Sequence, residues 1–232
     1  MPENKLKRAR CDDNTHYYAP SKYQQSIFIS GTNEIHFNTH VDADTITRIK
    51  YLFSIIVEEN INKLIKYKDT TAKRTNTIND SDVNIVYIIN SPGGSVHDVL
   101  DFVDYINLLR CTFVNIKFTS IITGMAASAG TIMGVIADVR QMTRFSFAMI
   151  HELSTGVSRT NYTRIMTHAE FINNLHNVLV TIYQEYRNIP ADNVQKKTEL
   201  EELLIKETWM TPDQYKSHGF IDEIIAVHVK NT

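Results

Sequence analysis

The chain has 232 residues, 43% of them hydrophobic, enough to bury the core of one α/β domain. A formal net charge of -2, from 24 Lys and Arg against 26 Asp and Glu, gives no basic excess for gripping a phosphate backbone, so nucleic acid is not expected as the main partner. No run approaches the roughly 20 apolar residues of a spanning helix, and Met1-Pro2-Glu3-Asn4-Lys5 is not the apolar stretch of a secretory signal, so no membrane is expected as a partner either.

Residues 1–25 are polar and lack a sustained apolar period, which sets them apart as an N-terminal extension before a domain over 26–232. Their cluster Lys5-Leu6-Lys7-Arg8-Ala9-Arg10 is flanked by Glu3 and Asp12-Asp13 and reads as a solvated tail. Cys11 and Cys111 are too few and too far apart for a disulfide framework, which fits a reducing, cytoplasm-like compartment. Ile27-Phe28-Ile29-Ser30-Gly31 predicts a short buried strand. Asp42 or Asp44 can then cap a helix whose apolar face is Ile46, Ile49, Phe53, Ile56 and Val57. The polar stretch 66–82 reads as a surface loop longer than ordinary connections.

The continuous apolar run 85–89 predicts a strand buried on both faces, stopping at Asn90-Ser91-Pro92-Gly93-Gly94. Val96, Val99, Leu100, Val103, Ile106 and Leu109 recur at helical spacing after it. A strand over 113–122 ends at Gly124, and the small residues 126–134 begin a closely packing helix. A strand over 145–150 leads into His151. Tyr162, Ile165, Met166, Ala169, Ile172, Leu175, Leu179, Ile182 and Tyr186 mark a helix ending before Pro190, long enough to project. Leu200, Leu203 and Leu204 suggest another helix, 212–218 a short one stopped by Gly219, and 221–229 a final strand. Strands alternating with helices favour an α/β fold with largely parallel pairing.

Three segments carry candidate chemistry. Gly93 and Gly94, between a buried strand and a helix, let backbone amides face outward with no Cβ in the way of a substrate, Gly94 being the favoured donor. Ser128 follows a strand, a glycine and three small residues, so its hydroxyl can sit exposed on an elbow with the Ala129 amide beside it. The flanks Ala127 and Ala129 are not those of the α/β-hydrolase G-x-S-x-G motif, and an Ala/Gly/Ser run also serves close helix packing. His151, followed by Glu152, leaves an apolar strand where a side chain can enter a cleft; an ordinary strand-end histidine reads the same way. His36, His40, His168 and His176 have no metal-binding spacing, so neither metal nor other cofactor is expected. A serine hydroxyl is a weak nucleophile until a base and an oxyanion site activate it, and the three segments supply both in order.

On Tyr87-Ile88-Ile89-Asn90-Ser91-Pro92-Gly93-Gly94-Ser95, Gly124-Met125-Ala126-Ala127-Ser128-Ala129-Gly130, Met149-Ile150-His151, Met210-Thr211-Pro212 and Gly219-Phe220-Ile221-Asp222, the chain resembles the Clp protease proteolytic subunit family of self-compartmentalised serine peptidases over about 27–229. The resemblance implies an α/β fold of the Clp-protease and crotonase type, built of repeated strand-turn-helix units with a projecting handle helix. It implies Ser128 as nucleophile, His151 as base, and Gly94 and Ala129 as oxyanion donors. Glu207 falls where the family usually has aspartate, and can be a relay residue, a weak substitute or a solvated helix charge. Asp213 and Asp222 are other carboxylates nearby, Asp222 at a position the family does not use for catalysis. An extended peptide or unfolded protein would lie beside Gly93, Ser95 and Val96 on one side and Glu152 and Leu153 on the other. The resemblance further implies a homo-oligomeric heptameric ring or double ring, fed by a hexameric AAA+ ATPase unfoldase. The first 25 residues and the loop at 66–82 depart from the family pattern, which leaves unfoldase docking open. Three other readings stay open: a ring subunit with impaired catalysis, a dedicated processing protease and, against Ser128 and His151, a crotonase-type acyl-CoA enzyme.

Overall fold

The computed structural model describes residues 26–70, 83–113, 115–156, 159–190 and 192–225. The N-terminal extension, most of the expected 66–82 loop and the end of the expected last strand lie outside these residues. β1 (Ile27–Ser30) turns at Gly31 into β2 (Glu34–Phe37), an antiparallel pair. Asp42 and Thr45 cap α1 (Ala43–Thr70) reciprocally: the Thr45 amide donates to Asp42 Oδ1 and the Asp42 amide to Thr45 Oγ1, each at 2.8 Å. This helix continues through Thr70 and takes up the start of the expected loop, where Lys66 and Lys68 are good helix formers.

β3 (Val83–Ser91) runs parallel to β2 and to β4 (Ile116–Ala127), and α2 (Val96–Thr112) lies between β3 and β4 in sequence. Ile85, Tyr87 and Ile89 are fully buried with Phe53, Phe102 and Phe118, whereas Val86 and Ile88 on the other face are half-buried and Asn84 and Asn90 exposed. The expected burial on both faces is thus corrected: helices cover one face of β3 and only partly shield the other. α2 extends to Thr112 with Phe113 as its C-terminal cap, so β4 starts at Ile116 rather than 113.

β4 organises the rest. Its first half pairs with β5 (Val139–Thr143) and its second half with β6 (Phe147–Ile150), both parallel and both on the side away from β3. The change of neighbour coincides with a bulge: Ile89 pairs with Ile122 but Ser91 with Ala126, and the Met125 amide donates to Asn90 Oδ1 at 3.2 Å across the gap. Ala126 and Ala127 therefore belong to the strand, not to the helix expected from their size, because Ala126 is paired on both edges and Ala127 with Met149 of β6. The helix α3 (Ala129–Val135) begins only after Ser128.

α4 (Tyr162–Tyr186) buries Leu175, Leu179, Val180, Ile182 and Tyr183, while no residue of its first half, 162–174, is buried. It packs by its C-terminal half and projects by its N-terminal half. α5 (Val194–Ile205), β7 (Thr208–Met210), α6 (Pro212–Ser217) and β8 (Glu223–Ile225) complete the chain, β7 antiparallel to β6 and β8 parallel to β5. Among the described residues no helix is long and apolar enough to cross a membrane.

Candidate active site

The Gly93–Gly94 turn is held from outside by Val41, whose amide donates to the Gly93 carbonyl and whose carbonyl accepts from the Ser95 amide, both at 2.9 Å. In such a parallel bridge the two bonds flank Gly94 and leave its own N–H on the opposite side. Both glycines have positive φ, 91° and 152°. A Cβ on Gly94 would stand 2.1 Å from the Val41 carbonyl oxygen, and one on Gly93 2.7 Å from Ser128 Cβ, so only glycine brings the turn this close to both neighbours.

Ser128, between β4 and α3, has φ 53° and ψ -124°, a conformation a side-chain-bearing residue adopts only when its surroundings impose it. The surroundings do so. Its amide donates to the Met149 carbonyl at 2.8 Å, and its carbonyl accepts from the Thr131 amide at 2.9 Å and from the Thr131 hydroxyl at 2.6 Å. Ala129, the first residue of α3, has an amide with no intrahelical acceptor.

His151 is the first residue beyond β6 and is half-buried. The next amide, of Glu152, donates to the Leu204 carbonyl at 3.0 Å, and the Glu207 amide donates to the same carbonyl at 3.2 Å. The segments of His151 and Glu207 are thereby tied to one point at the end of α5. The β6–β7 register pairs Ile150 with Thr208; carried one residue further, it sets Glu207 across from His151.

A small cavity of about 90 Å³ collects Gly94, Val96, Ser128, Ala129, His151, Glu152 and Leu153, with Ile132, Leu179 and Tyr183 as an apolar wall. Seven sequence-picked residues therefore meet in one place. Gly93 stands behind Ser128, and Ser95 is occupied as the α2 N-cap, accepting from the Asp98 amide at 3.3 Å. Glu207 does not line the cavity: it is exposed, in a left-handed backbone conformation (φ 47°), and among the described residues its carboxylate, the His151 ring and the Ser128 hydroxyl make no hydrogen bond. Asp222 is engaged elsewhere, accepting from Arg140; burial opposes its ionisation, but the Arg140 hydrogen bonds outweigh it and hold the carboxyl below its usual range. Among the described residues no three His, Cys, Asp or Glu side chains gather as a metal-binding group.

The wall residue Tyr183 was not singled out from the sequence, although its i, i+4 spacing from Leu179 on α4 places both on one helix face. It is buried, which pushes its phenol pKa well above the ordinary tyrosine value despite a hydrogen bond with Thr131.

Parallel strand-turn-helix units that deliver a serine elbow, a histidine and two amides with no acceptor among the described residues to one cavity, with a helix whose first half stands clear of the core, define a mixed α/β fold of the Clp-protease type. The sequence model of the Clp protease family matches residues 39–228, and the chain belongs to that family. It is 33% identical over 144 residues to the ATP-dependent Clp protease proteolytic subunit 1 of Chlamydia pneumoniae, covering 61% of this chain and 70% of that one. The ATP-dependent Clp protease proteolytic subunit of Streptococcus pneumoniae (strain Hungary19A-6) is 31% identical over 150 residues, 63% of this chain and 71% of the relative.

Proposed function

We propose that the chain is a serine-type endopeptidase of the Clp proteolytic-subunit kind, with residues 26–232 as the peptidase domain. Ser128 attacks the scissile carbonyl as His151 takes its proton, the Gly94 and Ala129 amides receive the oxyanion, and water then cleaves the acyl-enzyme. Glu207, the residue just before β7, is the carboxylate that orients His151 when substrate or a neighbouring subunit is in place. An extended peptide lies between Gly93-Gly94-Ser95-Val96 and Glu152-Leu153. The observation that carries this reading is the convergence on one cavity of two amides with no acceptor among the described residues, a serine in a strained elbow and a histidine, from three separate segments.

The substrate is an unfolded protein or peptide admitted to a homo-oligomeric chamber, a heptameric ring or double ring in the cytoplasm, with an AAA+ unfoldase as feeder. The exposed Tyr162, Ile165, Met166 and Phe171 on the free half of α4 suit a helix covered by another subunit. A fluorophosphonate probe and a small fluorogenic peptide test the activity: stoichiometric labelling and hydrolysis, both lost in Ser128→Ala, are expected. Unchanged hydrolysis in Ser128→Ala would sink the assignment.

A second reading, a ring subunit with impaired turnover, draws on the exposed Glu207 with no hydrogen bond to His151. Labelling of Ser128 without measurable peptide turnover is the result that would favour it.

A further inference from the structure

The Ser128 carbonyl and the Ala129 amide belong to one planar peptide unit, in which C=O and N–H point in opposite directions. Whatever anchors that carbonyl also aims the amide. The anchor is Thr131, whose hydroxyl donates to the Ser128 carbonyl at 2.6 Å, alongside its own amide at 2.9 Å. With its only proton committed there, Thr131 Oγ1 is the acceptor in its 2.7 Å contact with the Tyr183 hydroxyl, so Tyr183 donates. Tyr183 is buried, packs edge to face on Phe220, and presents its ring to the cavity that holds Ser128 and His151.

We propose that Thr131 and Tyr183 are positioning residues of the oxyanion site: a chain of hydrogen bonds running from the Tyr183 hydroxyl through Thr131 and the Ser128 carbonyl to the Ala129 amide. The inference rests on the peptidase reading above. Each link does two things. It holds the Ser128–Ala129 peptide in an orientation that its backbone conformation alone would not keep. It also polarises the peptide, because a carbonyl that accepts strongly leaves its N–H a better donor when negative charge develops on the substrate oxygen. Tyr183 belongs at once to this chain and to the cavity wall, so a side chain filling the cavity presses on the residue that aims the amide.

The test uses the full-length chain. Thr131→Val keeps the shape and removes the donor, Thr131→Ser restores it, and Tyr183→Phe removes the outer link. Misdirecting an oxyanion donor costs less than deleting one, so Thr131→Val is expected to lower kcat about 10- to 50-fold, with KM little changed and a lower Tm, since valine leaves the buried Tyr183 hydroxyl without its acceptor. Thr131→Ser is expected to recover most of the loss. Tyr183→Phe should cost a few-fold, and the double variant should be no worse than Thr131→Val alone, since the links act in series. A peptide boronate, which forms a tetrahedral adduct on serine, should lose affinity in parallel with kcat/KM while a cleaved product peptide binds unchanged. An active wild type whose Thr131→Val variant keeps its kcat, or loses it only together with product binding and without rescue by serine, overturns the positioning role alone. A wild type inert to peptide and to the fluorophosphonate overturns the peptidase reading and this proposal with it.

Discussion

The two halves of the cavity are built differently. On the oxyanion side, Gly94 is clasped by Val41, Gly93 lies against Ser128, and the Ser128 peptide is bonded at its amide and doubly at its carbonyl. On the base side, the amides of Glu152, next to His151, and of Glu207 are both pinned to the Leu204 carbonyl, but the His151 imidazole and the Glu207 carboxylate make no hydrogen bond among the described residues. In the proposed mechanism the side that stabilises developing charge is the one held by hydrogen bonds within the single chain, and the side that moves a proton is positioned at the backbone and left free at the side chains. Oxyanion stabilisation depends on dipoles already in place, whereas a base can acquire its final contacts when substrate or a neighbouring subunit arrives.

Several substitutions bear on that contrast. The largest expected effect is Ser128→Ala, which should lower kcat on the order of 10⁶-fold, as loss of a triad serine does; steady-state hydrolysis of a fluorogenic peptide measures it. Gly94→Ala comes next. Its Cβ would enter the Val41 carbonyl, so the turn must shift. A loss of about 10²- to 10³-fold in kcat, that of an oxyanion donor, is expected together with a lower Tm; a variant that keeps its rate would show that the rigid half is not the catalytic half. Glu207→Ala should cost less, about 10²-fold, because an exposed carboxylate orients its imidazole more loosely than a buried one; a loss nearer 10⁴-fold, that of a full triad carboxylate, would place Glu207 firmly on His151 in the working state.

The smallest effect lies outside the cavity. Asp222, held below its ordinary carboxylate range by Arg140, contributes stability that is present above its unfolded pKa near about 4 and lost as pH falls through the lower folded value. Asp222→Asn should therefore lower Tm at neutral pH with little change in peptide turnover, and the gap to wild type should close in acid. A gap that persists at low pH would mean that packing, not charge, is what Asp222 supplies.

Much of this was legible in the order of residues. The apolar spacing from Tyr162 to Tyr186 predicts a helix ending before Pro190, and α4 is that helix; Gly94, Ser128 and His151, picked from a glycine turn, a small-residue elbow and a strand end, line one cavity. β5 was not legible, because its pattern inverts the usual one. Val139 is exposed and Arg140 buried, and that burial is made tolerable by distant partners, the Asp222 carboxylate 82 residues away and the Tyr186 and Gly219 carbonyls. β7 has three residues with an exposed tryptophan, too short to read without β6 beside it. Burial of β3 on both faces was overestimated, since hydrophobicity along a strand does not say whether a helix covers each side.

By itself, then, the sequence determined the α/β class, the helices with a strong period and the residue types of the Gly93–Gly94 turn and the Ser128 elbow, because those depend on spacing within a few turns of chain. Only the tertiary structure decided that Thr131 anchors the Ser128 carbonyl with Tyr183 behind it, that the bulge opposite Asn90 lets β4 change partner, and that Glu207 faces His151 through the β6–β7 register without bonding to it. Those are contacts between distant segments, and their geometry is set by how whole elements pack rather than by any local preference.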